Sequence, residues 1–224
     1  PDARLWKNAV CHDPAQFAFA AVRDAGVRPG DRVAVIGLGA IGQLAAQLCR
    51  RAGALLVVVI DPIAARREAA LADGADAALD PSAADVGLAL KRLTGSAGVD
   101  AVIETSGSGP ALQAALRGLA FGGTVAYVAF AKEFSGLSFG REAHFNYGRI
   151  VFSRACSEPL PDYPRWTPAR IEDACWQMLM SGALSCERIV QPVVPFADCA
   201  AAYERFVDRE PALAIKLGVA FDSL

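Results

Sequence analysis

Val33-Ala34-Val35-Ile36-Gly37-Leu38-Gly39-Ala40-Ile41-Gly42 is the stretch that decides the fold. Four apolar residues in an unbroken row are what a strand buried on both faces shows. They run into a G-x-G-x-x-G turn, and a helical pattern follows with Ile41, Leu44, Ala45 and Leu48 at i, i+3, i+4 and i+7. Each glycine has its own task. Gly37 permits the tight turn, Gly39 lets the backbone come against a pyrophosphate, and Gly42 allows the helix to pack closely on the strand. The helix N-terminus adds free N–H groups and a partial positive charge. Leu38, Ala40 and Ile41 complete the loop as candidate binding positions. Asp61 follows Gly42 by 19 residues, at the end of the apolar run Leu55–Ile60. A carboxylate there accepts hydrogen bonds from the hydroxyls of an adenine ribose. The bland alternative is a helix start that needs backbone freedom and an exposed N-cap at Asp61 beside Pro62. Strand, spacing, helix and acid would then coincide by accident.

Asp61 also bears on the choice of cofactor, because its carboxylate repels a 2′-phosphate, so NAD is favoured over NADP. Arg66 and Arg67 stand close enough to complicate this, and Arg66 is kept as a candidate cofactor contact. Two arginines on a helix are otherwise most often a solvated face.

Outward from this unit the alternation of strand and helix continues. Asp13-Pro14 begins a helix to Ala25 that Gly26 closes, with Asp13 in the N-cap position. After Asp61 come a helix over Ala64–Asp73, a strand at Ala77–Leu79, a helix over Ser82–Leu93 and a strand at Val99–Glu104. Gly109-Pro110 starts a helix to Ala120, Gly122-Gly123 turns the chain, and strands follow at Thr124–Phe130 and Arg149–Ala155. Strands separated by helical crossovers predict an α/β fold, a doubly wound parallel six-stranded sheet of the Rossmann type. Ligands of such sheets sit at the carboxyl ends of the strands, which marks Thr105, Ser106 and Gly107. Residues 157–167 are rich in proline and read as a linker. A helix over Pro168–Ser181, a strand over Arg188–Val194, a helix over Asp198–Val207 and a strand over Ala212–Phe221 follow. The expected division is a leading helix in residues 1–26, a dinucleotide-binding domain in 27–156, and a linker, helix and returning segment in 157–224.

Composition excludes several classes. The 224 residues are 54% hydrophobic, too apolar for a disordered chain. With 22 basic and 24 acidic residues the net charge is −2, so no basic excess exists to neutralise nucleic-acid phosphates. The longest apolar run, Ala54–Ile60, falls far short of the roughly 20 residues of a membrane span. The six cysteines form no CxxC pair, which suits free thiols in a cytoplasmic protein. Pro1 stands where Met would open a chain, and Pro1–Val10 has no apolar signal region, so the sequence reads as a fragment trimmed at its N-terminus.

Taken together the segments resemble the medium-chain dehydrogenase/reductase superfamily, the zinc-type alcohol dehydrogenases and their relatives. The marks are Gly30-Asp31-Arg32-Val33-Ala34-Val35 leading into the glycine turn, Gly74-Ala75-Asp76, Gly98-Val99-Asp100-Ala101-Val102-Ile103-Glu104 and Gly122-Gly123-Thr124-Val125. Val193-Val194-Pro195-Phe196 with Ala201-Ala202-Tyr203 looks like the family's returning segment. Phe139–Asn146 and Tyr163–Trp166 look closest to a subgroup named after bacteriochlorophyllide dehydrogenases. The resemblance implies an NAD-dependent oxidoreductase that moves hydride between an alcohol and a nicotinamide cofactor, with this chain supplying the cofactor-binding half. It also implies that the backbone at Val128 and Ala129 holds the nicotinamide carboxamide. The alternatives are a zinc-free quinone- or enone-reductase relative and a non-catalytic NAD(H)-binding module. A homodimer is the assembly this leaves open, and the substrate is not legible.

The family's GroES-like domain, which carries its catalytic zinc ligands, has no counterpart here, so zinc is expected only if that domain is present. His12 and His144 are the two histidines, neither in a Gly-His-Glu context. Many family members place a third zinc ligand, often in Glu-Pro, where Asp13-Pro14 stands 24 residues before Gly37. Asp13 is therefore the metal candidate of an incomplete site, with Cys11 and His12 beside it, against a plain role as a helix cap. No catalytic residue is legible.

Overall fold

The computed structural model describes residues 5–130, 134–154 and 160–221. Its central sheet holds β1 (Arg32–Ile36), β2 (Leu56–Ile60), β3 (Ala77–Leu79), β4 (Val99–Glu104), β5 (Leu119–Tyr127) and β6 (Arg149–Phe152) in the order β3-β2-β1-β4-β5-β6. Every neighbouring pair is parallel. The chain winds outward from β1 to β3, returns to β4 and winds outward the other way. The reversal between β1 and β4 opens a crevice at the carboxyl ends of these two strands. Helices α3 (Ala40–Arg51), α4 (Ala64–Ala72), α5 (Val86–Leu93) and α6 (Gly109–Gly118) follow β1, β2, β3 and β4 in turn.

Both faces of the sheet are covered, and alternate strand residues enter different cores. Val33, Val35, Val57, Val59 and Ile103 point into one, Ala34, Ile36, Val58, Ile60 and Val102 into the other. Two apolar faces are the reason the strands read as unbroken apolar runs.

The first core also takes in both ends of the chain. Helix α2 (His12–Asp24) contributes Ala15, Ala18 and Ala21, and helix α8 (Pro168–Met180) contributes Ile171, Cys175 and Leu179. A one-turn helix α1 (Trp6–Ala9), not anticipated from the sequence, presents the buried Asn8. Asn8 Nδ2 donates to the carbonyls of Leu179 at 2.9 Å and Leu184 at 3.0 Å, and its Oδ1 accepts from the Cys186 N–H at 2.8 Å. One side chain thus pins residues 179–186 to the start of the chain. Beyond it β7 (Val190–Pro195) and β8 (Lys216–Ala220) pair in parallel as a separate two-stranded sheet, joined through α9 (Cys199–Tyr203) and a π-helical stretch over Glu204–Arg209. The helix expected over Asp198–Val207 is therefore divided, and both late strands are shorter than expected.

Helix α6 ends at Gly118 instead of Ala120 and β5 at Tyr127 instead of Phe130, and three starts differ from the expectation for a local reason. Helix α5 begins at Val86 instead of Ser82, because Asp80 accepts from the Ser82 N–H at 2.8 Å and its hydroxyl at 2.6 Å and holds it in a turn. Strand β5 begins at Leu119 instead of Thr124, so Gly122-Gly123 lies inside it. Val99 pairs with Leu119 and Ala101 with Thr124, and residues 120–123 bulge opposite Asp100. Helix α2 begins at His12 with Cys11 in the cap position and no side-chain cap. Asp13 sits in its first turn, where a negative charge suits the helix dipole. Strand β6 ends at Phe152, short of the expected Ala155, and residues 157–159 of the linker lie outside the described residues.

Replacing Asn8 by Ala leaves the Leu184 carbonyl and the Cys186 N–H without partners, at about 1–3 kcal/mol each in the worst case, while the Leu179 carbonyl keeps the Gly182 N–H at 3.1 Å. Urea unfolding of Asn8→Ala is expected to show a loss of about 3 kcal/mol, whereas Lys7→Ala, which removes an ion pair to Glu187 at the surface, stays within about 1 kcal/mol of the parent.

Candidate cofactor-binding site

The crevice between β1 and β4 is built around three glycines whose surroundings differ. Gly37 has φ +87°, and a Cβ there would stand 2.8 Å from the Ser106 nitrogen and 2.9 Å from Thr105 Oγ1. At Gly42 a Cβ would lie 1.8 Å from the Gly37 carbonyl oxygen, so helix α3 rests on the turn with no space for a methyl group. At Gly39, which has φ −68°, a Cβ would meet no protein atom within 4 Å. The fold makes no demand for glycine at that position. Gly39 is the N-cap of α3 and offers no side-chain cap, so the first N–H groups of the helix face the space above it. Ala40 and Ile41, half-buried, form the first turn.

Leu38 is buried, and its N–H donates to Asp61 Oδ2 at 2.7 Å. Asp61 is only 4% exposed, and its Oδ1 accepts from the Ile63 N–H at 2.9 Å. A carboxylate has about four lone-pair sites, so two bonds to backbone leave acceptor capacity. Arg66 Nη1 lies 3.9 Å from Asp61 Oδ2, and Arg66 Nη2 donates to the carbonyls of Pro211 at 2.9 Å and Ala214 at 3.0 Å. Arg67 donates to the Asp61 carbonyl at 2.6 Å and pairs with Asp80 at 3.2 Å. Both guanidinium groups therefore have partners within the chain. An apolar cavity of about 340 Å³ opens beside Asp61, bounded by Ile36, Gly37, Pro62, Ser106 and Pro110.

On the other side of the crevice the turn after β4 touches the glycine loop. Thr105 Oγ1 donates to the Gly37 carbonyl at 2.8 Å. Gly107 has φ +67°, and a Cβ there would lie 3.2 Å from that of Ala129, while the Val128 N–H donates to the Glu104 carbonyl at 2.9 Å. Thr105, Ser106, Gly107, Val128 and Ala129 thus stand together along one wall. Glu104, which sequence reasoning left as the last residue of a strand, is fully buried beneath them. Its carboxylate accepts from the Ser106 N–H at 2.9 Å, from the Ser106 hydroxyl and from the Gly107 N–H at 3.3 Å. Burial pushes its pKa up, and the bonds from Ser106 and Gly107 oppose the shift. The available signal was an acid at the end of an apolar run, directly before Thr-Ser-Gly.

The candidate metal ligands do not assemble. Asp13 is exposed on α2. His12 Nε2 lies 2.9 Å from the Glu172 carbonyl oxygen, with its ring edge-on to Trp176. Cys11 is buried in the core. Among the described residues no three His, Cys, Asp or Glu side chains form a group that fits a metal ion. His144 lies exposed on the one-turn helix α7 (Glu142–Phe145), edge-on to Phe145. No helix among the described residues is long and apolar enough to cross a membrane.

Comparison with known proteins agrees with this geometry. D-guloside 3-dehydrogenase of Escherichia coli K12 is 59% identical over 222 residues, which is 99% of this chain and 63% of that protein. The alcohol dehydrogenase TADH from Thermus sp. ATN1 superposes with a TM-score of 0.78 at 26% identity, over 96% of this chain and 60% of that one. A zinc-binding dehydrogenase from Sinorhizobium meliloti, solved bound to NADP, superposes with a TM-score of 0.74 at 25% identity, over 92% of this chain and 56% of its own. The chain spans less than two thirds of each of these proteins. The model of the family described as zinc-binding dehydrogenase matches residues 40–166. That match, over more than half of the chain, places it in the zinc-binding dehydrogenase family, within the medium-chain dehydrogenase/reductase superfamily.

Proposed function

We propose that this chain is the cofactor-binding part of an NAD-dependent dehydrogenase that oxidises a secondary alcohol of a sugar derivative. The observation that carries the cofactor assignment is the open space over Gly39, at the N-terminus of α3 and beside Asp61. There the N–H groups of Gly39, Ala40 and Ile41 bind the pyrophosphate. The spare lone pairs of Asp61 take the ribose hydroxyls, and the cavity beside it takes the adenine. Thr105, Ser106, Gly107, Val128 and Ala129 line the path to the nicotinamide, whose ring supplies the hydride-accepting carbon when the cofactor is bound. Arg66 acts on this site through Asp61, whose charge it balances from 3.9 Å. The alcohol class rests on the 59% identity to D-guloside 3-dehydrogenase. Residues 27–156 form the cofactor unit, and residues 1–26 and 157–224 lead toward the part that holds the alcohol. Phe196 and Phe221, stacked and exposed beside β7 and β8, support that division. No described group of donors fits zinc, and no step is assigned to a metal.

The preference for NAD follows from charge. A 2′-phosphate would bring further negative charge against Asp61, while Arg66 is drawn to the carbonyls of Pro211 and Ala214 and Arg67 to Asp80. Calorimetric titration is expected to show NADH binding at least about tenfold more tightly than NADPH, with Asp61→Ser narrowing the gap. Equal or tighter binding of NADPH to the parent overturns the preference.

Gly39 and Gly42 give a paired test of where the pyrophosphate lies. Gly39→Val is expected to melt as the parent does and to lose NADH binding about 100-fold or more, because the valine methyls fill space that only the ligand uses. Gly42→Ala is expected to lose about 1–3 kcal/mol or more of stability through overpacking against Gly37. A Gly39→Val chain that folds normally and binds NADH as tightly as the parent contradicts the placement.

A further inference from the structure

We propose that Glu104 is a positioning residue of the cofactor cleft, setting the affinity for the dinucleotide by holding the turn Thr105–Gly107 in place. The inference rests on the cofactor reading above and concerns a residue that touches none of the space the cofactor would occupy.

The turn is wedged between two parts of the cleft. On one side Thr105 and Ser106 abut Gly37, whose missing side chain would stand 2.9 and 2.8 Å from them. On the other, Gly107 lies against Ala129. A displacement of this turn therefore moves the glycine loop, the cavity wall at Ser106 and the end of β5 together. Glu104 grips it from below, both carboxylate oxygens engaged, one with Ser106 and the other with Gly107. No cation pairs with Glu104 among the described residues, so its charge is balanced by these donors alone. That is a costly way to hold a strand end. The folded chain binds the Glu104 proton more readily than the unfolded chain does, so the ionised carboxylate lowers stability as pH rises through its titration. A feature that costs stability and organises a cleft is expected where rigidity serves binding.

Protonation gives the arrangement a signature. A protonated Glu104 carries an O–H where an N–H donor needs an acceptor, so the turn loses one of its ties as pH falls. The titratable group facing it from β5 is Tyr127, whose buried hydroxyl has no hydrogen-bond partner among the described residues and whose pKa is pushed up by burial and by the charge of Glu104. From β1 it is paired with Ile36, and the turn itself offers only Ser106 and Gly107. Tyr127 titrates above neutrality and leaves the acid side of the profile to Glu104.

The experiment is a fluorescence titration of this chain with NADH at steps from about pH 8 to about pH 5, on the parent, Glu104→Gln and Ser106→Ala, with thermal melts of each. The parent is expected to lose affinity on acidification with the slope of one proton. Glu104→Gln is expected to bind about tenfold more weakly at pH 8 and to show no such step, since its amide nitrogen offers no acceptor to Gly107. Ser106→Ala, an exposed position, is expected to keep the step and move it to higher pH, because a donor to the charged form is removed. An acid step that persists in Glu104→Gln, or a folded Glu104→Gln with the parent's affinity, overturns the proposal and leaves the cofactor reading standing. If Glu104→Gln does not fold, an unmoved step in Ser106→Ala overturns it. A parent that binds no NADH at any pH overturns both.

Discussion

Helix α3 comes so close to the turn before it that the Gly37 carbonyl oxygen occupies the place of a Gly42 side chain. The same oxygen accepts the Thr105 hydroxyl, so β1, α3 and the turn after β4 meet on one atom. That contact sets the direction of α3 and the position of its N-terminus. It also decides which side of the glycine loop is filled by protein and which is left open. Asp61 fixes the remaining degree of freedom by binding the Leu38 N–H from the end of β2. The cleft is thus assembled from three strand ends, and its geometry follows from backbone approach more than from side-chain identity.

The same economy governs how the later segments join. Residues 171–190 contribute to the core that α2 and α3 share, and the buried amide of Asn8 meets three backbone groups there. Hydrophobic contact gives this junction its energy, and the amide gives it a register. Arg66 extends the connection to residues 211–214, so the C-terminal segment reaches the cofactor side of the molecule through one guanidinium group.

What was legible in the sequence divides by range. Strands β1 and β2 were readable because burial on both faces leaves an apolar run, and the glycine turn because its spacing encodes a backbone path. The start of β5 was not, because Gly122-Gly123 is good turn chemistry and only pairing with β4 makes it a bulge. Ser82 looked like the start of a helix until Asp80 captured it. The partners of Arg66 lie about 145 residues away along the chain, beyond any local pattern. Glu104 was hidden for another reason: its partners are its own neighbours in sequence, but its burial depends on β5 and on the glycine loop.

The contrast between Gly39 and Gly42 separates two kinds of constraint within one motif. Gly37 and Gly42 are demanded by the architecture, whatever the chain does, while on the cofactor placement proposed above glycine at 39 is demanded only by a guest. A descendant of this fold that abandoned its nucleotide would be released at the middle glycine alone and would still display the outer two. The residue at the middle position therefore works as a record of use. In this chain that record reads glycine, with empty space above it.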